Sequence, residues 1–545
     1  MAHTPVDADE AVEKVRHGLK ITPVATPSAS RRGSGVISTP SGSTVAFHSR
    51  TADEREAQPP HATKQSLSDH LDKYTKLFTL TPSRMRMIVD AFEETLVRGL
   101  QEWDQVINAS QPMFPTWVFG TPTGSESGDY LALDLGGTNL RVCLVSLLGG
   151  CRFEITQTKY RLTEEQKQED GTILFDFCAK CVKEFIDTHL PHVTHEKPVV
   201  VGFTFSYPCL QEKIDHGILI RWTKGFGAPN VEGNDVAEMF RKALEHHKVP
   251  AIMSALINDT TGALLASQYV RPRTKIAVIL GTGCNAAYSE EISCIGKLKD
   301  KNLDPSDTVA INCEWGAFDS DLHQHLPRTK YDIQIDEHSN KPGEQAFEKM
   351  ISGRYLGEIF RLVIMELIDE GVLFLGQNSY KLEKPYSLDT SFLSLMESDP
   401  TDELLTIIGI FTHFYAVETT LEERQFFRSL AQLIGRRAAR LSACGIAAIV
   451  RKKGYLEEGC EVGADGTLYN KYPGFAERIH QGLIDVFGEK GKKIVTHHAE
   501  DGSGVGAAII AGEVQISSRA RPEFALNIDI AMTKARKDAG KYPDL

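Results

Sequence analysis

Residues 131–147, LALDLGGTNLRVCLVSL, carry the pattern that decides the fold class of this chain. An apolar run ends at Asp134-Leu135, two glycines supply a tight turn, and a second run of strand-forming residues follows. This order predicts a β-hairpin. Residues 276–291, IAVILGTGCNAAYSEE, repeat the arrangement around a Gly-Thr-Gly turn. Because long helical patterns lie between the two hairpins, the sequence indicates an α/β protein with an internal duplication.

The length and composition favour two folded domains with appended ends. A chain of 545 residues is too long for one hydrophobic core. Residues 1–66 are rich in Ser, Thr and Pro and poor in aromatic side chains, so we expect a disordered leader. We expect order to begin near Ser66, and Thr81 followed by Pro82 predicts the start of a helix. The polar residues 515–545 are expected to form a C-terminal tail.

Charge and cysteine content exclude several classes of protein. The net charge of −13 argues against a protein that coats nucleic acid, and no unbroken apolar stretch predicts a membrane span. Ten cysteines without a secretory signal suit a reducing compartment, so we expect a cytoplasmic protein, with a nuclear or mitochondria-associated pool left open. Cys178 and Cys181 have CxxC spacing, but they lie in a helical pattern and no second cysteine pair accompanies them. A redox or zinc site is therefore not expected there. The pairs His246-His247 and His497-His498 show no metal-ligand spacing.

Three glycine-rich turns indicate a ligand with several phosphates. Residues 134–139 and 281–283 could bring backbone N–H groups close to oxyanions, and residues 501–504 precede a helical run. Asp134 could hold Mg²⁺ through water. A plain hairpin turn explains residues 134–139 equally well. No Walker A motif and no protein-kinase signature is present, so the phosphates would be held by other means.

Asn258-Asp259 closes an apolar strand and opens a helical run. Asp259 could take a proton from a substrate hydroxyl, or it could simply cap the helix. Further polar residues stand in apolar, aromatic surroundings and need partners, which a sugar would supply; they are Ser206, Thr223, Lys224 and Glu314. Each of them, taken singly, could also have a structural role.

Together these motifs resemble the hexokinase family, and closely its fungal hexokinases and glucokinases. The resemblance runs from about residue 70 to about residue 514. It includes VGFTFSYP, RWTKGF, ALINDTTG, LGTGCNAAY, INCEWGAFD, the segment from Lys341 to Glu358 and AEDGSGVGAA. It implies two actin-like, RNase H-like α/β domains around a sugar-binding cleft. Residues 67–257 would form mainly the small domain and residues 258–514 mainly the large domain.

The resemblance also implies an ATP-dependent kinase that phosphorylates the 6-hydroxyl of glucose, and of mannose and fructose, as the first step of glycolysis. Asp259 would be the general base, with Lys224 as a second catalytic residue. The sugar would be held by Ser206, Thr223, Lys224, Asn258, Asp259, Asn285, Glu314, Gln345 and Glu348. Mg²⁺ with ATP would be held by Asp134, Gly136, Gly137, Thr138, Asn139, Arg141, Gly281, Thr282, Gly283, Gly353, Arg354, Thr390, Ser391, Ser503 and Gly504, with Asp134 as the Mg²⁺ residue through water.

Two departures from the family pattern bear on the sugar site. Ala263 stands where the family often has Thr, and Glu344 replaces the first Gln of the usual PGQQ. The alternatives are a hexokinase-like regulatory sugar sensor with little or no kinase activity and a kinase for an amino sugar. The expected partners are hexoses and ATP, with no nucleic acid and no membrane, for a monomer or homodimer.

Overall fold

The structure, a computed structural model, describes residues 66–101, 111–137, 139–223 and 225–520, with side chains up to residue 514. Two predicted site residues, Thr138 and Lys224, lie outside the described residues, as do residues 1–65 of the predicted leader and residues 521–545 of the predicted tail.

Thirteen strands are found in these ranges: β1 (Phe114–Phe119), β2 (Ser127–Leu135), β3 (Asn139–Gly149), β4 (Arg152–Arg161), β5 (Val199–Phe205), β6 (Cys209–Leu210), β7 (Ile218–Leu219), β8 (Ala251–Ile257), β9 (Thr274–Leu280), β10 (Cys284–Glu291), β11 (Thr308–Asn312), β12 (Cys460–Asp465) and β13 (Ile494–His498). Eleven of them build two large sheets, and β6 pairs with β7 in a separate ribbon.

The two large sheets share one topology. The five-stranded sheet has the order β4-β3-β2-β5-β8, with an antiparallel β2-β3-β4 meander and with β5 and β8 parallel to β2. The other sheet repeats this pattern as β11-β10-β9-β12-β13 and adds β1 at the edge beside β11. The predicted hairpins are β2-β3 and β9-β10, so the internal duplication and the α/β class are confirmed.

The α-helices of the described ranges are α1 (Leu67–Phe78), α2 (Pro82–Gly99), α3 (Gly171–His189), α4 (Val236–His246), α5 (Asp259–Val270), α6 (Lys330–Glu337), α7 (Ala346–Ile351), α8 (Gly353–Asp369), α9 (Tyr380–Glu383), α10 (Thr390–Ser398), α11 (Leu405–Ile410), α12 (Leu421–Lys452), α13 (Thr467–Lys471), α14 (Phe475–Phe487) and α15 (Gly502–Ala520). Thr81 caps α2 ahead of Pro82, as predicted, and Ser66 caps α1 with its side chain. None of these helices is long and apolar enough to cross a membrane.

Three apolar clusters form the interior of the described chain. One lies around the six-stranded sheet and includes α1, α2 and α12, and a second joins the five-stranded sheet to α3 and α4. The helices α1 and α2 and strand β1, which precede the predicted boundary at residue 257, therefore contribute to the core of the six-stranded sheet. The domain boundaries themselves stay a prediction. Helix α15 continues to Ala520, beyond the predicted start of the tail at residue 515.

The third cluster contains the two helices that lie between the sheets. Side chains of α5 and α15 pack with Ala132 and Ala255 of one sheet and with Ala277 and Ala287 of the other. The two helices cross in contact, because a Cβ atom on Gly506 would lie 2.2 Å from the carbonyl oxygen of Gly262. Both helices begin at the carboxyl end of a strand, β8 or β13, so their first turns are brought together.

Candidate active site

The carboxyl ends of three parallel strands carry the first group of predicted site residues. Asp134 lies at the end of β2, Ser206 follows β5, and Asn258 follows β8. Because β5 lies between β2 and β8 and all three strands run in one direction, these residues meet at one edge of the sheet. Ligands of open α/β sheets bind at such edges.

Asp259 is the first residue of α5, and Asn258 is its N-cap. The Oδ1 atoms of both side chains accept a hydrogen bond from the backbone N–H of Thr260, at 2.9 Å for Asn258 and 2.8 Å for Asp259. The Thr260 hydroxyl donates to the same Asp259 oxygen at 3.1 Å. Because Asn258 is the N-cap of α5, Asp259 is not needed as the helix cap.

Four polar side chains from both sheets form a hydrogen-bonded cluster beside Asp259. Asn285 Nδ2 donates to Asn312 Oδ1 at 2.7 Å, to Glu314 Oε1 at 3.3 Å and to Asn258 Oδ1 at 3.5 Å. Asn312 Nδ2 also donates to Glu314 Oε1 at 2.9 Å. The cluster fixes the orientation of one carboxylate and three amides, which is a suitable lining for a hydroxyl-rich ligand.

Glu314 and Gln345 both have left-handed backbone conformations, with φ of 50° and 56°. A non-glycine residue in this region costs free energy, and such residues concentrate at binding and active sites. The backbone N–H of Glu314 donates to Asn285 Oδ1 at 3.0 Å, which holds its conformation. Gly316 leaves room for Gln345, since a Cβ on Gly316 would lie 2.4 Å from Gln345 Oε1.

Glu348 lies on α7, beside the second glycine turn. Its Oε2 atom accepts a hydrogen bond from the backbone N–H of Cys284 at 2.9 Å. A Cβ on Gly283 would lie 2.8 Å from the same oxygen. The predicted sugar residues Asn285, Glu314, Gln345 and Glu348 are thus brought together around the start of β10.

Ser206 and Thr223 lie on the other side, against an aromatic cluster. Ser206 is buried, and its backbone N–H donates to the carbonyl of Leu135 at 3.5 Å. Trp222 packs edge-on against Tyr207 with ring centroids 4.8 Å apart, which anchors Thr223 one residue later. Burial, with the nearby carboxylates of Asp134 and Asp259, raises the pKa of Tyr207 well above its ordinary value. The Tyr207 hydroxyl therefore stays protonated and donates to the Gly136 carbonyl at 3.2 Å.

The first glycine turn is joined to the third by an ionic network. Arg141 Nε and Ser503 Oγ donate to Asp134 Oδ2 at 3.0 and 2.8 Å. Arg141 also donates to Ser503 Oγ at 2.6 Å and contacts Asp501 at 3.4 Å. The carboxylate of Asp134 raises the pKa of Arg141 further above its already high ordinary value, so the guanidinium is permanently charged. Within the first turn, the N–H of Gly136 donates to the carbonyl of Asn139 at 3.1 Å.

The second glycine turn contacts the N-terminus of α8. The N–H of Gly281 donates to the Gly283 carbonyl at 3.0 Å, which closes the turn. The N–H groups of Gly353 and Arg354 donate to the carbonyls of Gly281 and Thr282 at 2.7 and 3.3 Å. The predicted nucleotide residues of α8 and of this turn therefore form one surface.

Thr390 and Ser391 open α10 next to this surface. The Thr390 hydroxyl donates to the Gly353 carbonyl at 2.6 Å and accepts from the Gly357 N–H at 2.8 Å. The N–H of Ser391 donates to Asp389 Oδ1, the helix cap, at 2.7 Å. In this structure the Thr390 hydroxyl thus binds the backbone of α8, and its role in nucleotide binding stays a prediction.

Three residues of the site were not among the predicted ones: Asn312, Tyr207 and Gly466. Asn312 contributes to the amide cluster and Tyr207 to the first turn, as described above. Gly466 approaches the second turn, with its Cα 3.4 Å from a Cβ built on Gly281. Asp501 belongs to the predicted third glycine-rich turn, and the duplication offers a second signal for it, because β13 leads to it as β8 leads to Asp259. Asn312 and Tyr207 carry no such signal, since their partners are distant in sequence.

The two departures from the family pattern have clear positions. Ala263 is buried at the crossing of α5 and α15, where a Cβ on Gly502 would lie 2.9 Å from the Ala263 methyl group. Glu344 Oε2 lies 2.5 Å from Arg221 Nη1 in an ion pair. Ala263 thus affects helix packing, and Glu344 joins the segment that precedes Gln345 to the segment that precedes Trp222.

Comparison with known proteins agrees with this geometry. Two family models described as hexokinase match residues 70–269 and 275–512. The chain belongs to the hexokinase family. It is 47% identical to a hexokinase of Kluyveromyces lactis over 454 residues, which cover 82% of this chain and 92% of that protein. It is 46% identical to Hexokinase-2 of Saccharomyces cerevisiae over 474 residues, covering 84% and 96%.

Solved structures of hexokinases show the same fold. The Schistosoma mansoni hexokinase complexed with glucose superposes with a TM-score of 0.74 at 36% identity, covering 82% of this chain and 99% of that one. A second hexokinase structure gives a TM-score of 0.71 at 29% identity, with the same coverage. The predicted two-domain hexokinase fold and the predicted hexokinase activity are thereby confirmed, and no finding supports the regulatory sensor.

Proposed function

We propose that Asp259 is the general base with which this hexokinase phosphorylates the 6-hydroxyl of glucose, and of mannose and fructose, at the expense of ATP. Asp259 takes the hydroxyl proton as the sugar oxygen forms a bond to the γ-phosphorus, and the bond from that phosphorus to the leaving oxygen of ADP breaks. Phosphoryl transfer depends mainly on positioning and charge stabilisation, so a fixed carboxylate is what the reaction needs from the protein.

The surroundings of Asp259 support this role. The N–H and hydroxyl of Thr260 hold its Oδ1 atom, which restricts the carboxylate to one orientation. Asp259 also follows Asn258 of the amide cluster, and its carboxylate and that of Asp134 both lie near Tyr207. This placement suits a residue that would act between a sugar hydroxyl and a phosphate.

The sugar would be bound by residues from both sheets. We infer that the fixed amides and the carboxylate of Glu314 accept and donate hydrogen bonds to the ring hydroxyls, together with Ser206, Thr223, Gln345 and Glu348. We propose that Lys224 extends this set. Because the residues come from segments of both large sheets, closure of the predicted domains around the sugar would exclude water, which otherwise competes as phosphoryl acceptor.

ATP would be held at the glycine turns, with Mg²⁺. The atoms at these turns that could bind a metal ion are carboxylate oxygens, which suit a hard cation that keeps several waters. Arg141 and Ser503 both contact the Oδ2 atom of Asp134, so Oδ1 is the atom that would hold a metal-bound water. Mg²⁺ supplies charge neutralisation of the transferred phosphoryl group. A monomer or homodimer and a cytoplasmic location stay predictions.

The Asp259→Asn variant tests the proposal. The amide keeps an oxygen for the Thr260 hydrogen bonds but is no base, so we expect kcat for glucose to fall by about 10²–10⁴-fold. Glucose binding, measured by tryptophan fluorescence, should change little. Asp129→Asn is the control, since Asp129 is exposed at the opposite end of β2. Near-normal turnover of Asp259→Asn would refute the assignment of the base.

A further inference from the structure

A group of three metal-ligating side chains lies outside the active site, on the surface of the five-stranded sheet's domain. Asp176 is on α3, His246 is the last residue of α4, and His247 is the C-cap of α4. The Nδ1 atom of His246 and the Nε2 atom of His247 lie 3.3 and 3.1 Å from Asp176 Oδ1. No other group of three such side chains with converging donor atoms is found in the described ranges.

From this arrangement we propose that Asp176, His246 and His247 bind a first-row divalent transition-metal ion, with Zn²⁺ as the representative ion. Two imidazole nitrogens and one carboxylate oxygen are donors typical of Zn²⁺ sites. With metal–ligand bonds of about 2.0–2.1 Å, donor atoms in a tetrahedral site lie about 3.3 Å apart. The two measured separations agree with such an arrangement. A water molecule would complete the coordination on the exposed side of His246.

The Nε2 atom of His247 gives a second, independent indication of a metal site. Its Nε2 atom is buried and makes no hydrogen bond to any described residue, although the Asp176 carboxylate is 3.1 Å away. A buried nitrogen without a hydrogen bond costs free energy. A metal ion between the imidazole and the carboxylate would satisfy both groups.

The site is also favoured by its place in the fold. The carboxyl end of a helix carries partial negative charge, which attracts cations, and both histidines lie at the carboxyl end of α4. The two helices are held rigidly, since Phe175 beside Asp176 and Ala243 and Leu244 beside the histidines belong to one apolar cluster. Little reorganisation would therefore be needed to bind the ion.

The second pair of adjacent histidines shows why the sequence pattern alone was not informative. His497 and His498 lie on strand β13, where successive side chains point to opposite faces. His497 accordingly contacts Thr274, whereas His498 lies 3.7 Å from Asp465. At the end of a helix, by contrast, the two rings of His246 and His247 lie side by side with centroids 4.6 Å apart.

Titration of the full chain with Zn²⁺ at neutral pH, followed by calorimetry, tests the site. We expect one ion per chain and at least a tenfold loss of affinity in Asp176→Asn and in His247→Gln. The matched control is His498→Gln, which changes a histidine of the other adjacent pair and should bind as the unchanged chain does. Circular dichroism establishes that each variant is folded.

Two further measurements test whether the metal ion binds at this site. Co²⁺ should give the visible absorption of a tetrahedral site in the unchanged chain and lose it in Asp176→Asn. Zn²⁺ should raise the Tm of the unchanged chain but not that of Asp176→Asn, because the ion joins α3 to α4 only in the folded state. No binding, or binding that both Asp176→Asn and His247→Gln leave intact, would overturn the proposal. None of these readouts depends on kinase activity.

Discussion

Asp332 and Arg437 form an ion pair in which each side chain is only 1% exposed. Two hydrogen bonds of 2.7 Å join them. The Asp332 side chain also accepts a hydrogen bond from the backbone N–H of Thr329, the N-cap of α6. Removing one partner of a buried pair leaves an uncompensated charge. We expect Asp332→Asn to lower the free energy of unfolding by about 3–5 kcal/mol, measured by denaturant unfolding.

The control for Asp332→Asn is an exposed ion pair. Arg98 and Asp321 lie 3.4 Å apart with side chains 49% and 29% exposed. Asp321→Asn should therefore cost less than about 1 kcal/mol. Equal effects of the two substitutions would show that burial does not determine the contribution of the Asp332–Arg437 pair.

Lys297 is buried, and its ammonium group donates to the backbone carbonyl of Met113 at 3.2 Å. Burial lowers the pKa of Lys297 from 10.5 to about 7. Between about pH 7 and about pH 10.5 the unfolded chain keeps a proton that the folded protein has released, so stability should rise with pH in this window. Below about pH 7 both states are protonated and this dependence ends.

Lys297→Met tests this pH dependence. The variant lacks the titrating group. The free energy of unfolding of the unchanged chain should therefore increase relative to that of the variant as pH rises from about 7 to about 10.5. Urea unfolding at several pH values measures it. A difference that is constant across the window would contradict the lowered pKa.

At the scale of elements, the crossing of α5 and α15 connects helix packing to the candidate active site. α5 begins with Asp259, and the first turn of α15 contains Ser503, which contacts Asp134. A methyl group on Gly506 would lie 2.2–2.5 Å from backbone atoms of Gly262. The helices can accommodate it only by moving apart.

We therefore expect Gly506→Ala to lower the free energy of unfolding by about 1–3 kcal/mol. It should also lower kcat/KM for glucose by on the order of 10²-fold, because a shift near 1 Å displaces Asp259. Gly409→Ala is the matched control: Gly409 lies in α11 with no atom within 4 Å of the added Cβ. That variant should be neutral or more stable, since Ala favours helices over Gly. A fully active Gly506→Ala would show that the crossing does not position the site.

At the scale of the whole molecule, Arg221 and Glu344 connect the two sides of the site. Arg221 precedes Trp222, which belongs to the core of the five-stranded sheet. Glu344 precedes Gln345 and Ala346, and Ala346 belongs to the core of the six-stranded sheet. The pair is partly exposed, at 33% and 42%, so its contribution to holding the two segments together is modest.

Glu344→Gln should raise the KM for glucose two- to fivefold, in proportion to about 0.5–1 kcal/mol of lost interaction, and leave kcat nearly unchanged. High salt should reduce the difference between the variant and the unchanged chain, because it screens exposed charges. Steady-state kinetics at low and high salt measure both effects. A fall in kcat at constant KM would mean that Glu344 acts on the chemical step instead.

Local sequence determined much of this protein. Turn chemistry and the period of apolar residues act over a few positions. They predicted hairpins β2-β3 and β9-β10, the cap Thr81 and the strand-to-helix transition at Asn258-Asp259. The repeated hairpin indicated the duplication that the two sheets confirm. The order of the motifs was sufficient to predict the family.

Tertiary structure alone decided which side chains meet. Asp134 and Ser503 are separated by 369 positions and Asn258 and Asn285 by 27, and no local pattern reports such contacts. The same holds for the Thr390 hydroxyl, which binds the backbone of α8, and for His246 and His247, which reach Asp176 although His497 and His498 diverge. Turn and cap preferences depend on neighbouring residues, whereas these contacts depend on how sheets and helices pack across the whole chain.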